Sequence, residues 1–214
     1  MASECIVGLL DDGTVESLRY FQCRRTVLEM LRDRGYDIPN SELTRSISEF
    51  RSLFGQEPNP EALRIRVSLS THPFHKVLVV FTGTSVVTKA TILGIYGQIT
   101  NEERLNRLII VVQSKMTAFA RKELETCPLE VEIIEMNDML FNITKHVLQP
   151  KYEVLTDDEK RALLMKYNVE EKQLPYMLKT DPIARYYALR KGQVIKITHK
   201  GDLVDSLVAY RCVV

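Results

Sequence analysis

Few of the groups that could do chemistry in this 214-residue chain stand at useful spacing. His72-Pro73-Phe74-His75 holds its close histidine pair. Two imidazoles can begin a zinc site, but such a site needs one or two further protein ligands. His146, His199 and the four cysteines are distant in sequence, none at ligand spacing. The pair therefore reads as a polar loop between two strands, and no metal is expected. Asp11-Asp12 could act as paired carboxylates, yet Gly13 follows and no basic or apolar setting is at hand to shift a pKa. They read as a solvated loop. No G-x-S-x-G, P-loop or G-x-G-x-x-G pattern occurs, so no cofactor is expected.

Two strand ends and the tail hold the remaining candidates. Thr82-Gly83-Thr84-Ser85 follows an apolar run and precedes a helical pattern. A helix N-terminus is electropositive, so Thr84 and Ser85 could offer N–H groups to a phosphate. Gln113-Ser114-Lys115 ends a second apolar run. Many DNA nucleases place an acidic-x-Lys triplet at such an end to hold Mg²⁺ and activate water. Gln113 brings no charge for a hard cation, which argues against catalysis and leaves Lys115 as a candidate phosphate contact. In the tail, Arg185, Arg190, Lys191, Lys196 and Lys200 interleave with Tyr186, Tyr187 and Ile195. That pattern suits a nucleic-acid surface, a solvated basic face or a docking surface for an acidic partner.

The elements that must position these groups follow from periodicity. Leu18, Phe21, Leu28 and Leu31 predict a helix over 15–34 that Gly35 stops. Leu43, Ile47, Phe50 and Phe54 form one stripe and predict a second, continuous helix from Asn40 or Ser41. Leu63 to Leu69 alternates as a half-buried strand. Runs 76–81 and 108–112 read as strands covered on both faces, with helices predicted over 85–96 and 116–125 and a further strand from Leu129. This alternation argues for an open α/β sheet flanked by helices. After Pro150 the chain reads as a small α+β unit. Thr156-Asp157-Asp158-Glu159 is a capping box, Asp181-Pro182 starts a short helix, and strands 193–199 and 206–213 flank a Gly201-Asp202 turn. The domain division is set at 1–146 and 147–214, and the whole is α+β.

Composition narrows the function classes. Lys and Arg number 29 against 28 Asp and Glu, so there is no global attraction to nucleic acid and any contact must be local. The basic excess lies in the shorter second part. Residues 1–146 hold 17 basic and 19 acidic side chains, and 147–214 hold 12 and 9. No apolar run suffices to span a bilayer, and the leading residues do not read as a secretory signal. Scattered cysteines argue for a reducing compartment.

The tail carries a resemblance. Gln173-Leu174-Pro175, Asp181-Pro182-Ile183-Ala184-Arg185-Tyr186-Tyr187, Gly192-Gln193-Val194-Ile195-Lys196-Ile197 and Tyr210-Arg211 closely resemble the assembly domain of the fifth-largest subunit of eukaryotic nuclear RNA polymerases, a domain also present in the archaeal counterpart. Upstream, Asn142 to His146, Leu31 to Tyr36 and Ile110 to Gln113 resemble that family's junction, first helix and later strand. The resemblance implies a nuclease-like but non-catalytic jaw domain along downstream duplex DNA, without sequence specificity. It implies an assembly domain docked on the largest subunit beside the other core subunits, in the nucleus, with no membrane and no small-molecule substrate. It points to Asp181, Pro182, Arg185, Tyr186, Arg190, Gly192, Gln193 and Lys196 as the assembly interface. The family usually has His at Tyr152, Arg at Tyr176 and Gly at Ala188. A different turn replaces its usual Ser-Glu-Thr-Ala-Gly at 201–205. That turn, the Arg211 to Val213 ending and a longer leading segment resemble the plant variant in RNA polymerase V, the silencing polymerase. The rivals are a metal-dependent nuclease using Lys115 with Glu130 and Glu132, the equivalent subunit of polymerases I to IV, and a jaw that recruits protein instead of DNA.

Overall fold

The structure is a computed structural model that describes residues 13–99, 105–199 and 207–214. The predicted turn at Gly201-Asp202 and the Asp11-Asp12 loop lie outside the described residues. The chain forms two compact units, Met1–Phe141 and Asn142–Val214.

In the first unit α1 (Val15–Asp33) begins where the Thr14 hydroxyl accepts from the Ser17 N–H. It ends in a Schellman turn on Gly35, at φ +89°, with Gly35 N–H bonded to Arg32 C=O and Tyr36 N–H to Leu31 C=O. The single helix predicted over the Leu43–Phe54 stripe is two: α2 (Asn40–Thr44) and α3 (Ile47–Phe54). Ser46 adopts extended backbone and forms a capping box with Glu49, which restarts the helix within the apolar stripe.

The sheet runs β1 (Ile65–Ser68), β2 (Lys76–Phe81), β3 (Arg107–Val112), β4 (Glu130–Glu135). β1 is antiparallel to β2; the other pairs are parallel and joined through α4 (Lys89–Ile99) and α5 (Ala118–Glu125). Two crossovers stepping the same way place both helices on one face. There Leu78, Val80, Leu108 and Ile110 pack with Ile92, Ile95 and Leu124. The alternate residues Val77, Val79, Phe81, Ile109 and Val111 are also buried, and Tyr20 of α1 meets Phe81 edge-on at 6.5 Å. Coverage on both faces explains the unbroken apolar runs.

The helix predicted from Ser85 starts at Lys89. Val87 is taken up by a bridge to Met116: its N–H bonds Lys115 C=O and its C=O accepts from Thr117 N–H. Thr88 and Thr91 exchange side-chain bonds to cap the helix behind it.

The second unit holds β5 (Lys151–Val154), α6 (Asp157–Tyr167), β6 (Tyr176–Met177), α7 (Pro182–Tyr186), β7 (Val194–His199) and β8 (Leu207–Val213), with sheet order β5-β7-β8-β6. β7 pairs antiparallel with β5 and β8, and β6 runs parallel to β8. The capping box at Thr156 and Glu159 starts α6, and the Asp181 carboxylate caps α7 with Pro182 in its first turn. Ile183, Ala184, Leu189, Ile195, Ile197 and Val213 form the core between α7 and the sheet. The two edge strands had no clear sequence signal: β6 is two residues long and β5 has charge at alternate positions. Among the described residues no helix is long and apolar enough to cross a membrane.

Candidate nucleic-acid and docking interfaces

The C-terminal ends of β2 and β3 meet in two loops that are tied together. Besides the Val87 bridge, the Ser114 hydroxyl donates to Ser85 C=O. The Thr82 hydroxyl bonds Val111 C=O at 3.2 Å and accepts from Gln113 N–H at 3.4 Å. The Gln113 side chain turns inward, where its Oε1 lies 3.0 Å from the Tyr20 hydroxyl, which is also 3.2 Å from Thr82 C=O. Burial, aided by the Glu16 carboxylate, pushes the Tyr20 phenol up to about 12, so it remains a donor. Outside this anchor Thr84, Ser85 and Lys115 are exposed. Thr84 and Ser85 precede the helix by several residues, so the N-terminal field expected to favour a phosphate there acts at Lys89 and beyond. What this edge offers a polyanion is the Lys115 ammonium and exposed loop backbone. Phe119, 77% exposed in the first turn of α5, and Val86, 54% exposed, belong to the same loop-and-helix starts. Neither stood out in the sequence. Phe119 is off the stripe that buries Ala120 and Leu124, and that displacement was its only signal.

Glu130 and Glu132 do not join Lys115. They open β4, where Arg107 bonds Glu130 at 2.7 Å and Glu132 at 3.0 Å, and Arg34 of α1 bonds Glu132 at 2.9 Å. Six residue steps along β3 take the chain from Arg107 to Gln113, about 20 Å along the sheet at ~3.3 Å per residue. Both carboxylates are thus salt-bridged at the opposite end from the lysine. Among the described residues no group of three His, Cys, Asp or Glu could hold a metal ion.

The second unit presents a cleft of about 410 Å³. Its floor is apolar, with Ile143, Met177, Ile183 and Ile197, and its rim carries Asp181, Arg211, His199 and Tyr152. Burial pushes the Tyr152 phenol above its ordinary range, the Asp181 carboxylate adding and the Arg211 guanidinium opposing. Such a recess can take an apolar side chain of a partner and orient it by its rim. Of the residues expected at the interface, Asp181 and Pro182 line this cleft. Arg185 and Arg190 are exposed. Tyr186 is not a surface residue: it is 1% exposed, and its hydroxyl accepts from Asn142 Nδ2 at 3.1 Å, so it serves the unit's own interior. Gly192, at φ +86°, and Gln193 shape the turn into β7, the Gln193 Oε1 accepting from Arg190 N–H at 2.6 Å. Lys196 pairs across the sheet with Glu153 at 3.0 Å. Hydrogen bonds from Lys151 and Lys196 hold the Glu153 carboxyl down at about 2.

Both units have counterparts among known proteins. Residues 14–99 match the family RNA polymerase Rpb5, N-terminal domain, and residues 141–213 match RNA polymerase Rpb5, C-terminal domain. DNA-directed RNA polymerase V subunit 5C of Arabidopsis thaliana is 47% identical over 212 residues, 99% of this chain and 91% of that protein. The chain belongs to the Rpb5 family. Other Rpb5 relatives include the RNA polymerases IV and V subunit 5B of the same plant, 43% identical over 98% of this chain and 97% of that protein. The subunit RPABC1 of RNA polymerases I, II and III from Caenorhabditis elegans is 34% identical over 95% of this chain and 99% of that protein.

Tyr176, Tyr152 and Ala188, the positions at which the resemblance implied a different residue, fall at structurally distinct places. Tyr176 lies on the edge strand β6, 57% exposed, its hydroxyl donating to Lys172 C=O at 2.9 Å. Tyr152 lines the cleft. Ala188 has φ +51°, in the left-handed region where a glycine would carry no steric cost.

Proposed function

We propose that this chain is a non-catalytic structural subunit of a plant nuclear RNA polymerase, of the polymerase V kind that serves RNA-directed DNA methylation and gene silencing. The observation that carries the reading is the pair of Rpb5 domain matches in order, one on each folded unit, together with 43–47% identity to named polymerase IV and V subunits across 98–99% of the chain. The second unit seats on the largest subunit through the Asp181–Pro182 cleft, with Arg185 and Arg190 flanking it. The first unit lies along downstream duplex DNA with Lys115 and the exposed Thr84–Ser85 loop towards the phosphates. Contacts of that kind position a duplex without reading its bases. Support for a non-catalytic role comes from the strand end itself: Gln113 is committed to Tyr20, and Glu130 and Glu132 of the neighbouring strand are committed to arginines at the far end.

Tagged full-length protein purified from plant nuclei tests the reading. The expected result is a stoichiometric polymerase largest subunit, that of polymerase V. Largest subunits of polymerases I, II, III or IV instead would reassign the complex, and absence of every polymerase large chain would overturn the proposal. Metal-dependent cleavage of duplex DNA by the purified protein, lost in Lys115→Ala, would revive the nuclease rival.

A further inference from the structure

The cleft of the second unit selects what docks in it. Most of its polar rim is spent within the unit. The Asp181 carboxylate accepts from Ile183 N–H at 2.8 Å, which caps α7. The Tyr152 hydroxyl donates to Gln149 Oε1 at 2.9 Å. Arg211 differs. It lines the cleft and is exposed, and its guanidinium makes no hydrogen bond or ion pair among the described residues. His199, the rim's other basic side chain, is exposed as well. Strand register explains where Arg211 stands. It pairs with Ile195, and Ala209 pairs with Ile197, so by the period of two Arg211 rises from the sheet face that supplies the floor. An uncommitted cation thus borders the buried side chains of Ile183 and Ile197.

The surroundings indicate a protein occupant. Val147 and Leu148, 95% and 84% exposed, lead directly into Gln149 and Pro150 at the rim. Apolar surface of that kind marks a protein contact. A nucleic-acid phosphate would meet Arg211 but leave the floor wet. A basic partner would face Arg211 with like charge. A carboxylate suits the guanidinium best, because the fixed fork of donors orients the pair as well as attracting it.

Resting on the docking of this unit on the largest subunit, we infer that the docked segment places an apolar side chain on the cleft floor and a carboxylate against Arg211. Tagged full-length variants expressed in plant nuclei test this through recovery of the largest subunit over a series of salt washes. Arg211→Glu lowers recovery about fivefold or more with circular dichroism unchanged, and Arg211→Lys, which keeps the charge, lowers it less. Arg211→Gln falls below the unaltered protein at low salt and converges on it at high salt, where the charge is screened and the floor contact remains. Asp181→Asn, whose side chain still caps α7, leaves recovery unchanged or raises it. Full recovery with Arg211→Glu would overturn the inference while leaving the docking intact. So would loss in Asp181→Asn with gain in Arg211→Glu, the pattern a basic partner requires. Failure of the unaltered protein to recover the largest subunit would overturn the docking, and the inference with it.

Discussion

Three helices end in a Schellman turn on a residue in the left-handed region, and the three residues differ. α1 stops on Gly35, α6 on Asn168 and α7 on Ala188. Each makes the paired bonds of a Schellman turn; for α7 they run from Ala188 N–H to Arg185 C=O and from Leu189 N–H to Ala184 C=O. Glycine occupies that backbone region freely and asparagine tolerates it, but an alanine Cβ is crowded by the carbonyl, at roughly 1–2 kcal/mol. Ala188→Gly is therefore expected to stabilise the protein by about 1 kcal/mol after the added freedom of the unfolded chain is deducted, read as a raised urea midpoint. Glu153 gives a second test. Its folded pKa lies below its unfolded value, so its contribution is complete above the ordinary carboxylate range and is lost as pH falls through about 2. A carbon-detected NMR titration should place its midpoint near 2. Lys196→Ala should move it back towards the ordinary value.

At the scale of elements, one network joins three of them: Arg107 of β3, Glu130 and Glu132 of β4, and Arg34 at the end of α1. The Arg34 side chain is 4% exposed and that of Glu132 21%. Removing the carboxylate takes an ion-pair partner from both Arg34 and Arg107 in a half-buried setting, with Glu130 still bonded to Arg107. Glu132→Ala is expected to cost about 2–3 kcal/mol in chemical denaturation, more than an exposed ion pair would. This network also marks the limit of what sequence could say. The parity of Leu63 to Leu69, the covered runs of β2 and β3, and the Thr156 capping box are local signals, and each could be read directly. Strand register is not local: which end of β4 carries Glu130 relative to Gln113 depends on pairing across the sheet. The same reason hid the start of α4, since nothing near Val87 shows that Met116 will claim it. Tyr186 and Lys196 were legible as residues of a motif but not as buried or paired ones. Tyrosine suits core and interface alike. The partner of Lys196 lies 43 residues away.

For the molecule as a whole, the two proposed interfaces belong to different units and should fail separately. Pro182→Glu with Arg211→Glu, both in the second unit's cleft, is expected to reduce recovery of the largest subunit by about tenfold. Lys115→Glu should leave that recovery intact and diminish photo-crosslinks from the subunit to downstream DNA. If both variants lose both properties, the division of labour is wrong. The tie between the two strand-end loops has a mechanical consequence. Val87 is clasped by Lys115 and Thr117, and Ser114 by Ser85, so the paired loops cannot hinge independently. A push delivered at the Lys115 tip is shared at once between β2 and β3, whose residues 77–81 and 108–112 are all buried. Such a tip behaves as a stiff bumper: load passes into the frame, and little is absorbed by local give.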